Sequence, residues 1–402
     1  MTNANHYDRR TALRQLAGFL AASPFARAQL DSPYAATHVP PIEDLVNVFE
    51  FEPLCKAHIP KQNYDFIAGG VDNEWSLRHN REAFDKIRFR PRMLVDTSGL
   101  DVSTTLFGER IEMPILIAPT AGHGLANPEG ELATARAAAQ VKTIHILSTN
   151  STHPLEKVAA ASSFPKWFQL YPGPDVEGTR ERVEKAVGAG FKLICVTVDA
   201  GWNSHRERLL RNRVRAQVPP GAAQPVTGAR TRRQREYADA PPKPPPYRLA
   251  TTLMHKLDWR FFDDLKKYAK TPVLIKGIMT AEDAELAVKH GADGIVVSNH
   301  GGRYLDYASA TIEALPEVVK AVNGKMPVLV DSGFRRGTDI LKALALGAKA
   351  VCVGRPPLWG LGAYGEAGVV RVLELLQSEL ALAMGLCGKP KLANVDRSIL
   401  RM

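Results

Sequence analysis

The sequence predicts a (β/α)8 barrel, the TIM-barrel class of α/β fold, with an N-terminal helical lead-in and a long insertion after the fourth strand. Three observations predict it. From Met113 onward, short apolar runs alternate with longer runs of helical composition. Eight apolar runs can be told apart, and a strand-helix rhythm repeated that often calls for a closed parallel barrel. Most of these runs end in polar residues, at the face where barrel enzymes keep their sites. A doubly wound open sheet is the runner-up. It would more often carry a glycine-rich phosphate turn after its first strand, and Pro119-Thr120-Ala121-Gly122 does not fit one.

The chain opens with the parts of an export signal. Arg9-Arg10 is a twin arginine, Leu16–Ala22 is a modest apolar region, and Ala26-Arg27-Ala28 is a small-x-small cleavage site. Their order and size define residues 1–28 as a twin-arginine signal peptide, in preference to a short amphipathic helix or a disordered tail. Residues 29–402 then form one barrel domain with Gln29 at its mature N-terminus. That route carries folded proteins, which suits an enzyme that loads its cofactor before reaching a bacterial periplasm. No run is long enough to span a bilayer.

Residues 29–60 read as an extended lead-in with a helix near Ile42-Glu43-Asp44-Leu45. Residues 62–84 read as a second helical segment with a glycine stop, holding Tyr64-Asp65-Phe66-Ile67-Ala68-Gly69-Gly70 and Trp75. The strand expectations are Pro114–Ala118, Ile144–Leu147, Trp167–Leu170, Leu193–Val198, Val273–Ile275, Ile295–Val297, Val328–Val330 and Val351–Val353. The helix expectations between them include Glu129–Val141, Thr179–Ala189, Ala281–His290, Thr311–Val322 and Thr338–Leu346. Residues 201–250 break the rhythm. Arg206, Arg208, Arg211, Arg213, Arg215, Arg230, Arg232, Arg233 and Arg235 crowd this stretch, and a proline run at 241–246 closes it. A long insertion at this point lies on the active-site face. It reads as a solvated loop, or as a lid, a peripheral membrane contact or a partner-docking segment.

The chain carries 52 Lys and Arg against 42 Asp and Glu, a net charge of +10. That favours anionic lipid, an acidic partner or anionic substrates without choosing among them. No recognised nucleic-acid fold or aromatic interleaving accompanies the arginines, so nucleic acid is not expected as a partner. Of the four cysteines, Cys195 and Cys352 lie in apolar strand runs and read as buried thiols. No cysteine or histidine spacing matches a metal site, so no metal is expected.

Several strands end in polar pairs two residues apart: Ser148 and Asn150, Gln169 and Tyr171, Thr197 and Asp199, Ser298 and His300. Residues so spaced on a strand face the same side. Lys276 ends the fifth strand and Asp331 the seventh. His300 can take a proton near neutral pH, and Arg303, two glycines further on, can hold a carboxylate. A lone strand-end histidine is more often structural, but Asp199, Tyr171, Lys276 and Arg303 around it favour a catalytic base. Asp331-Ser332-Gly333-Phe334-Arg335-Arg336-Gly337 and Gly354-Arg355-Pro356 follow the last two strands, the corner where barrels frequently bind phosphate.

Ser298-Asn299-His300-Gly301-Gly302-Arg303 closely resembles the active-site signature of the FMN-dependent α-hydroxy acid oxidases and dehydrogenases. The resemblance runs from about Ile42 to Leu382. It includes Met113–Ala121, Trp167–Tyr171, Thr197-Val198-Asp199, Val273–Gly277 and Arg335–Asp339. It implies that Ala121, Ser148, Gln169, Thr197, Lys276, Ser298, Asp331, Arg335, Gly354 and Arg355 hold FMN, with Lys276 near flavin N1 and the C2 carbonyl. It implies oxidation of an L-2-hydroxy acid to the 2-oxo acid, with hydride passing to flavin N5. His300 would be the base, Asp199 its partner, Arg303 and Arg206 the carboxylate cations, and Tyr171 a hydrogen-bonder to the substrate oxygen. It also implies a homotetramer, and an electron acceptor that is oxygen, a quinone or a separate cytochrome. A non-catalytic FMN-binding barrel is the alternative from another class.

The chain departs from the family's pattern at the substrate end. Phe66 stands where relatives have a tyrosine whose hydroxyl assists Arg303. Asn150 replaces a pocket tryptophan or tyrosine, Gly122 a methionine or alanine, Tyr304 a glutamine, and Ser332 a frequent glycine. These changes point to a 2-hydroxy acid larger or more polar than glycolate, with binding of simple ones improved by Phe66→Tyr.

Overall fold

The computed structural model describes residues 39–173, 175–212 and 257–401. The signal segment 1–28, Arg213, Arg215, Arg230, Arg232, Arg233, Arg235 and the proline run lie outside the described residues. The chain divides into a short unit ending at Leu45 and a large one beginning at Val46. In the short unit, Ile42–Asp44 is a single 3-10 turn, not a longer helix.

The large unit is built on eight parallel strands: β1 Ile115–Ile117, β2 His145–Ser148, β3 Lys166–Leu170, β4 Ile194–Thr197, β5 Val273–Ile278, β6 Gly294–Val297, β7 Val328–Asp331 and β8 Ala350–Val353. Each pairs with its neighbours in sequence and β8 pairs with β1, so the sheet is a closed barrel. Strands buried on both faces read as continuous apolar runs, which is why the sequence located all eight. Leu116, Ile146, Trp167, Cys195, Leu274, Val296, Leu329 and Cys352 fill the interior. All four cysteines are buried free thiols.

Among the described residues, three α-helices precede the barrel: α1 Phe51–His58, α2 Lys61–Ala68 and α3 Trp75–Glu82. The single segment expected over 62–84 is therefore two helices. The break follows from Gly69-Gly70 and from Asp72 and Glu74, both left-handed at φ 44° and 57°. A hairpin of Thr104–Leu106 and Glu109–Ile111 turns through Phe107 and Gly108, both at positive φ. Leu106 and Ile111 join the barrel core, and the Phe107 ring meets Trp167 edge-on at 5.5 Å, so the hairpin plugs the N-terminal mouth.

The outer helices are α4 Gly130–Gln140, α5 Leu155–Ala160, α6 Val176–Gly188, α7 Glu207–Asn212, α8 Trp259–Ala269, α9 Ala281–Lys289, α10 Thr311–Val322, α11 Gly337–Ala345 and α12 Arg355–Leu386. Helix α7 opens the insertion. Helix α12 is interrupted at Tyr364 and Gly365, where the backbone leaves helical geometry.

Two sequence expectations are corrected at the strand ends. Lys276 lies inside β5, which continues to Ile278. The pairing of β5 with β6 slips between Lys276 and Ile278, so Gly277, at φ 113°, is the extra residue of a bulge. None of the four polar pairs is an i, i+2 pair on a strand: Asn150, Tyr171 and Asp199 lie past the ends of β2, β3 and β4, and Ser298 and His300 both lie past β6, with His300 left-handed at φ 56°.

Candidate active site

The C-terminal ends of the strands converge on His300. Its Nδ1 lies 2.8 Å from Asp199 Oδ1. An ionised carboxylate can only accept, so Nδ1 carries the proton and Nε2 keeps its lone pair. The Tyr171 hydroxyl sits 3.2 Å from that Nε2. Burial pulls the His300 imidazole below its ordinary range, against an upward pull from Asp199. Burial would raise the Asp199 carboxyl, but His300 and Lys276 outweigh it and hold the group ionised. The result is a neutral imidazole with an oriented, accessible base nitrogen.

The turn that carries His300 is fixed by its neighbours. Asn299 and Asn80 of α3 exchange side-chain amide hydrogen bonds at 3.0 and 2.9 Å. The Gly302 N–H donates to Asn299 Oδ1, and the His300 N–H donates to Ser298 Oγ. Gly302 is required here: at φ 71°, a Cβ would lie 2.6 Å from the Leu77 backbone nitrogen. Asn299 is thus a structural member of the signature.

Lys276 and Asp331 are buried and 3.2 Å apart. Lys276 Nζ also donates to Ser298 Oγ at 2.8 Å. Burial would depress the ammonium, yet Asp331 and Asp199 overcome it and hold its pKa well above the usual lysine range. Asp331 also accepts from Ser332 Oγ, whose oxygen in turn accepts from the Gly301 N–H. The bulge at Gly277 serves the same cluster. A Cβ there would lie 2.7 Å from Asp199 Cβ, so only glycine lets β5 pass behind the acid.

Four arginines gather nearby. Arg206 and Arg303 lie 5.4 and 5.3 Å from the centre of the Phe66 ring. Arg303 Nη1 donates to the Phe66 and Gly69 carbonyls at the end of α2. Arg355 reaches the same helix end through Ile67 and Gly69, and also the Gly301 carbonyl. Unsatisfied helix carbonyls and the negative end of the dipole favour such cations. Arg335 lies over the Trp359 ring at 4.6 Å. Burial lowers the Arg335 guanidinium to about 9, with Arg355 adding to the effect, and lowers Arg355 to about 10. None of the four makes an ion pair among the described residues. Arg335 is buried and the other three are half-buried, and desolvated cations without carboxylate partners are suited to bound anions.

The site fits FMN on its own chemistry. Among buried polar side-chain atoms, Gln169 Nε2 and Thr197 Oγ1 lack hydrogen-bond partners. Ser148 Oγ donates to Gln169 Oε1 at 3.1 Å, which leaves the Gln169 amide group facing the strand ends as a donor. A flavin edge would satisfy such groups, and a phosphate would suit the β7–β8 arginines. Ala121 and Gly354 bound the same face, half-buried after β1 and β8. Gly122 and Asn150 are brought together, the Gly122 N–H donating to the Asn150 carbonyl at 3.2 Å. Sequence reasoning did not place Gly277 in the site, and it marked Tyr304 as a departure from the family's pattern without giving it a role. A glycine inside a strand run and an aromatic directly after Arg303 were the available signals.

A closed parallel barrel with a carboxylate-oriented histidine, a buried lysine and, at its strand ends, arginines without ion pairs among the described residues has the makings of a flavin-dependent oxidoreductase. The sequence model of the FMN-dependent dehydrogenase family matches residues 55–402, and the chain belongs to that family of FMN flavoproteins. It is 46% identical over 366 residues to an L-lactate oxidase of Nostoc sp., covering 90% of this chain and 99% of that one. It is 45% identical to glycolate oxidase 1 of Zea mays, covering 88% and 95%. Among solved structures, mandelate oxidase superposes with a TM-score of 0.78 at 38% identity, covering 89% and 98%. A soluble mutant of the membrane-associated (S)-mandelate dehydrogenase from Pseudomonas putida gives 0.80 at 37%, covering 89% and 99%.

Proposed function

We propose that this protein oxidises an (S)-2-hydroxy acid to the 2-oxo acid, with His300 as the base. The observation that carries the proposal is the Asp199–His300–Tyr171 arrangement beside Arg303 and Arg206. FMN, when bound, supplies the acceptor for the hydride that leaves the substrate carbon. Arg303 and Arg206 bind the substrate carboxylate and fix which carbon is presented. His300 Nε2 takes the hydroxyl proton, and Asp199 stabilises the imidazolium that forms. Tyr171 hydrogen-bonds the substrate oxygen. Lys276 provides a permanent buried positive charge for the cofactor's electron-rich end. Ala121, Ser148, Gln169, Thr197, Ser298, Asp331, Arg335, Gly354 and Arg355 complete the cofactor-binding set.

The substrate is larger or more polar than glycolate. Gly122 has no side chain and Asn150 is an exposed amide, so the pocket is open and polar on that side. Anaerobic mixing of the flavoprotein with a panel of 2-hydroxy acids, read as loss of flavin absorbance, tests both statements. Fastest bleaching by glycolate would refute the size assignment. No bleaching by any member would favour a non-catalytic FMN barrel.

The electron acceptor is a quinone or cytochrome more readily than oxygen. The net charge of +10 and the arginines from Arg206 onward favour contact of 201–250 with an anionic membrane surface. One structural relative is a membrane-associated dehydrogenase. Oxygen uptake compared with dye or quinone reduction decides between them. The protein reaches the periplasm through residues 1–28, and assembles as a homotetramer.

A further inference from the structure

Tyr304 belongs to no contact of the mechanism above, yet it stands at its centre. It directly follows Arg303. Its ring packs edge-on against the His300 ring, with centres 4.6 Å apart and planes at 72°. It is half-buried, and its phenol feels Arg206, Asp199, Arg303 and Lys276, the charged groups of the site. No hydrogen bond engages its hydroxyl among the described residues. Phe66, the ring between Arg206 and Arg303, has no hydroxyl to offer. Two hydroxyls stand near these two guanidiniums; Tyr171 is turned to His300 Nε2 at 3.2 Å, and Tyr304 is the one left for the carboxylate end.

We propose that the Tyr304 hydroxyl is a substrate-binding group that donates a hydrogen bond to the carboxylate held by Arg303 and Arg206. The assignment rests on the 2-hydroxy acid chemistry above and names the third donor of its carboxylate clamp. Burial raises the phenol pKa, with Arg206 opposing, so the group stays protonated and able to donate at neutral pH. The edge-on packing fixes the ring by contact with the base itself, so the donor is pre-positioned.

The test compares wild type with Tyr304→Phe, which keeps the ring and removes only the hydroxyl. A donor to a charged acceptor, when removed, weakens binding by about 10- to 100-fold. The variant should lose that factor in kcat/KM on the best 2-hydroxy acid, mainly through KM. It should change little on the methyl ester of the same acid. Oxalate binding to the flavoprotein, read as a perturbation of flavin absorbance, gives a readout independent of turnover, and its Kd should rise by a similar factor. Adding Phe66→Tyr should restore affinity in the Tyr304→Phe background; in wild type, where Tyr304 already donates, it should give little, in place of the improvement expected from the sequence. An oxalate Kd within twofold of wild type in Tyr304→Phe overturns the proposal, whatever the turnover. If wild type bleaches with no hydroxy acid while Tyr304→Phe still weakens oxalate, the reaction assignment fails and the Tyr304 contact stands.

Discussion

His300 must be neutral to accept a proton, and its burial favours that form. The sign of the pH dependence follows. As pH falls through the His300 pKa, the base is protonated and kcat/KM falls. Because that pKa lies below the ordinary 6.5, the acid limb should lie below pH 6.5 in the free enzyme. Asp199→Asn removes the upward pull on His300, so the limb should move to still lower pH. It also removes the partner of the imidazolium, so kcat should drop by about 10²–10⁴-fold. A pH–rate profile of both proteins checks this, and an unmoved limb would contradict the Asp199–His300 coupling. Lys276 makes a different prediction. Lys276→Met would strand the buried Asp331 carboxylate, a loss of about 3–5 kcal/mol read by urea unfolding of the flavoprotein. Its folded pKa is raised, so the lysine's contribution is complete below its unfolded value of 10.5 and fades only at higher pH. Stability of wild type should therefore show no loss from this group across neutral pH.

At the scale of the elements, β5 is the strand that sets the catalytic distances. Its bulge at Gly277 makes room for Asp199. Gly277→Ala should cost about 1–3 kcal/mol and lower kcat, because the new methyl displaces the acid that orients His300. Gly291 is the matched control. It is also left-handed, at φ 70°, but a Cβ there meets nothing within 4 Å. Gly291→Ala should lower stability by about 1 kcal/mol with kcat unchanged. Equal kcat for the two variants would remove β5 from the account. The strands themselves were legible because all eight are apolar on both faces. The polar residues that follow them were legible because a buried strand gains nothing from ending in Ser, Gln, Thr or Asp. The bulge was not, since a one-residue slip leaves no period to read. The Thr104–Ile111 hairpin escaped because its strands, Thr-Thr-Leu and Glu-Arg-Ile, are short and mostly polar, unlike the equally short but wholly apolar β1. Helix α12 escaped because Arg355-Pro356-Pro357 and its internal glycines resemble a loop. The left-handed turn at His300 was hidden for a related reason: its geometry comes from Asn80, Ser332 and Leu77, residues remote in sequence.

For the whole molecule, the strand ends hold buried donors and cations whose partner is a bound anion and a flavin edge. FMN should therefore act as a folding ligand. At a free concentration about 100 times its Kd, it should add roughly 2.7 kcal/mol, visible as a rise in Tm with FMN concentration. A Tm insensitive to FMN would mean that these groups are satisfied without it. The proposed export adds a second expectation: the mature protein should begin at Gln29, and replacing Arg9-Arg10 with lysines should leave the full-length flavoprotein in the cytoplasm. N-terminal sequencing of each fraction checks it. The central claim is that His300 is the base in hydroxy acid oxidation. It is tested most directly by anaerobic mixing of wild type and His300→Gln with the best (S)-2-hydroxy acid of the panel, following flavin absorbance. Wild type should bleach rapidly, and the variant, with FMN still bound, about 10²–10⁴-fold more slowly. Equal rates in the two proteins would contradict it.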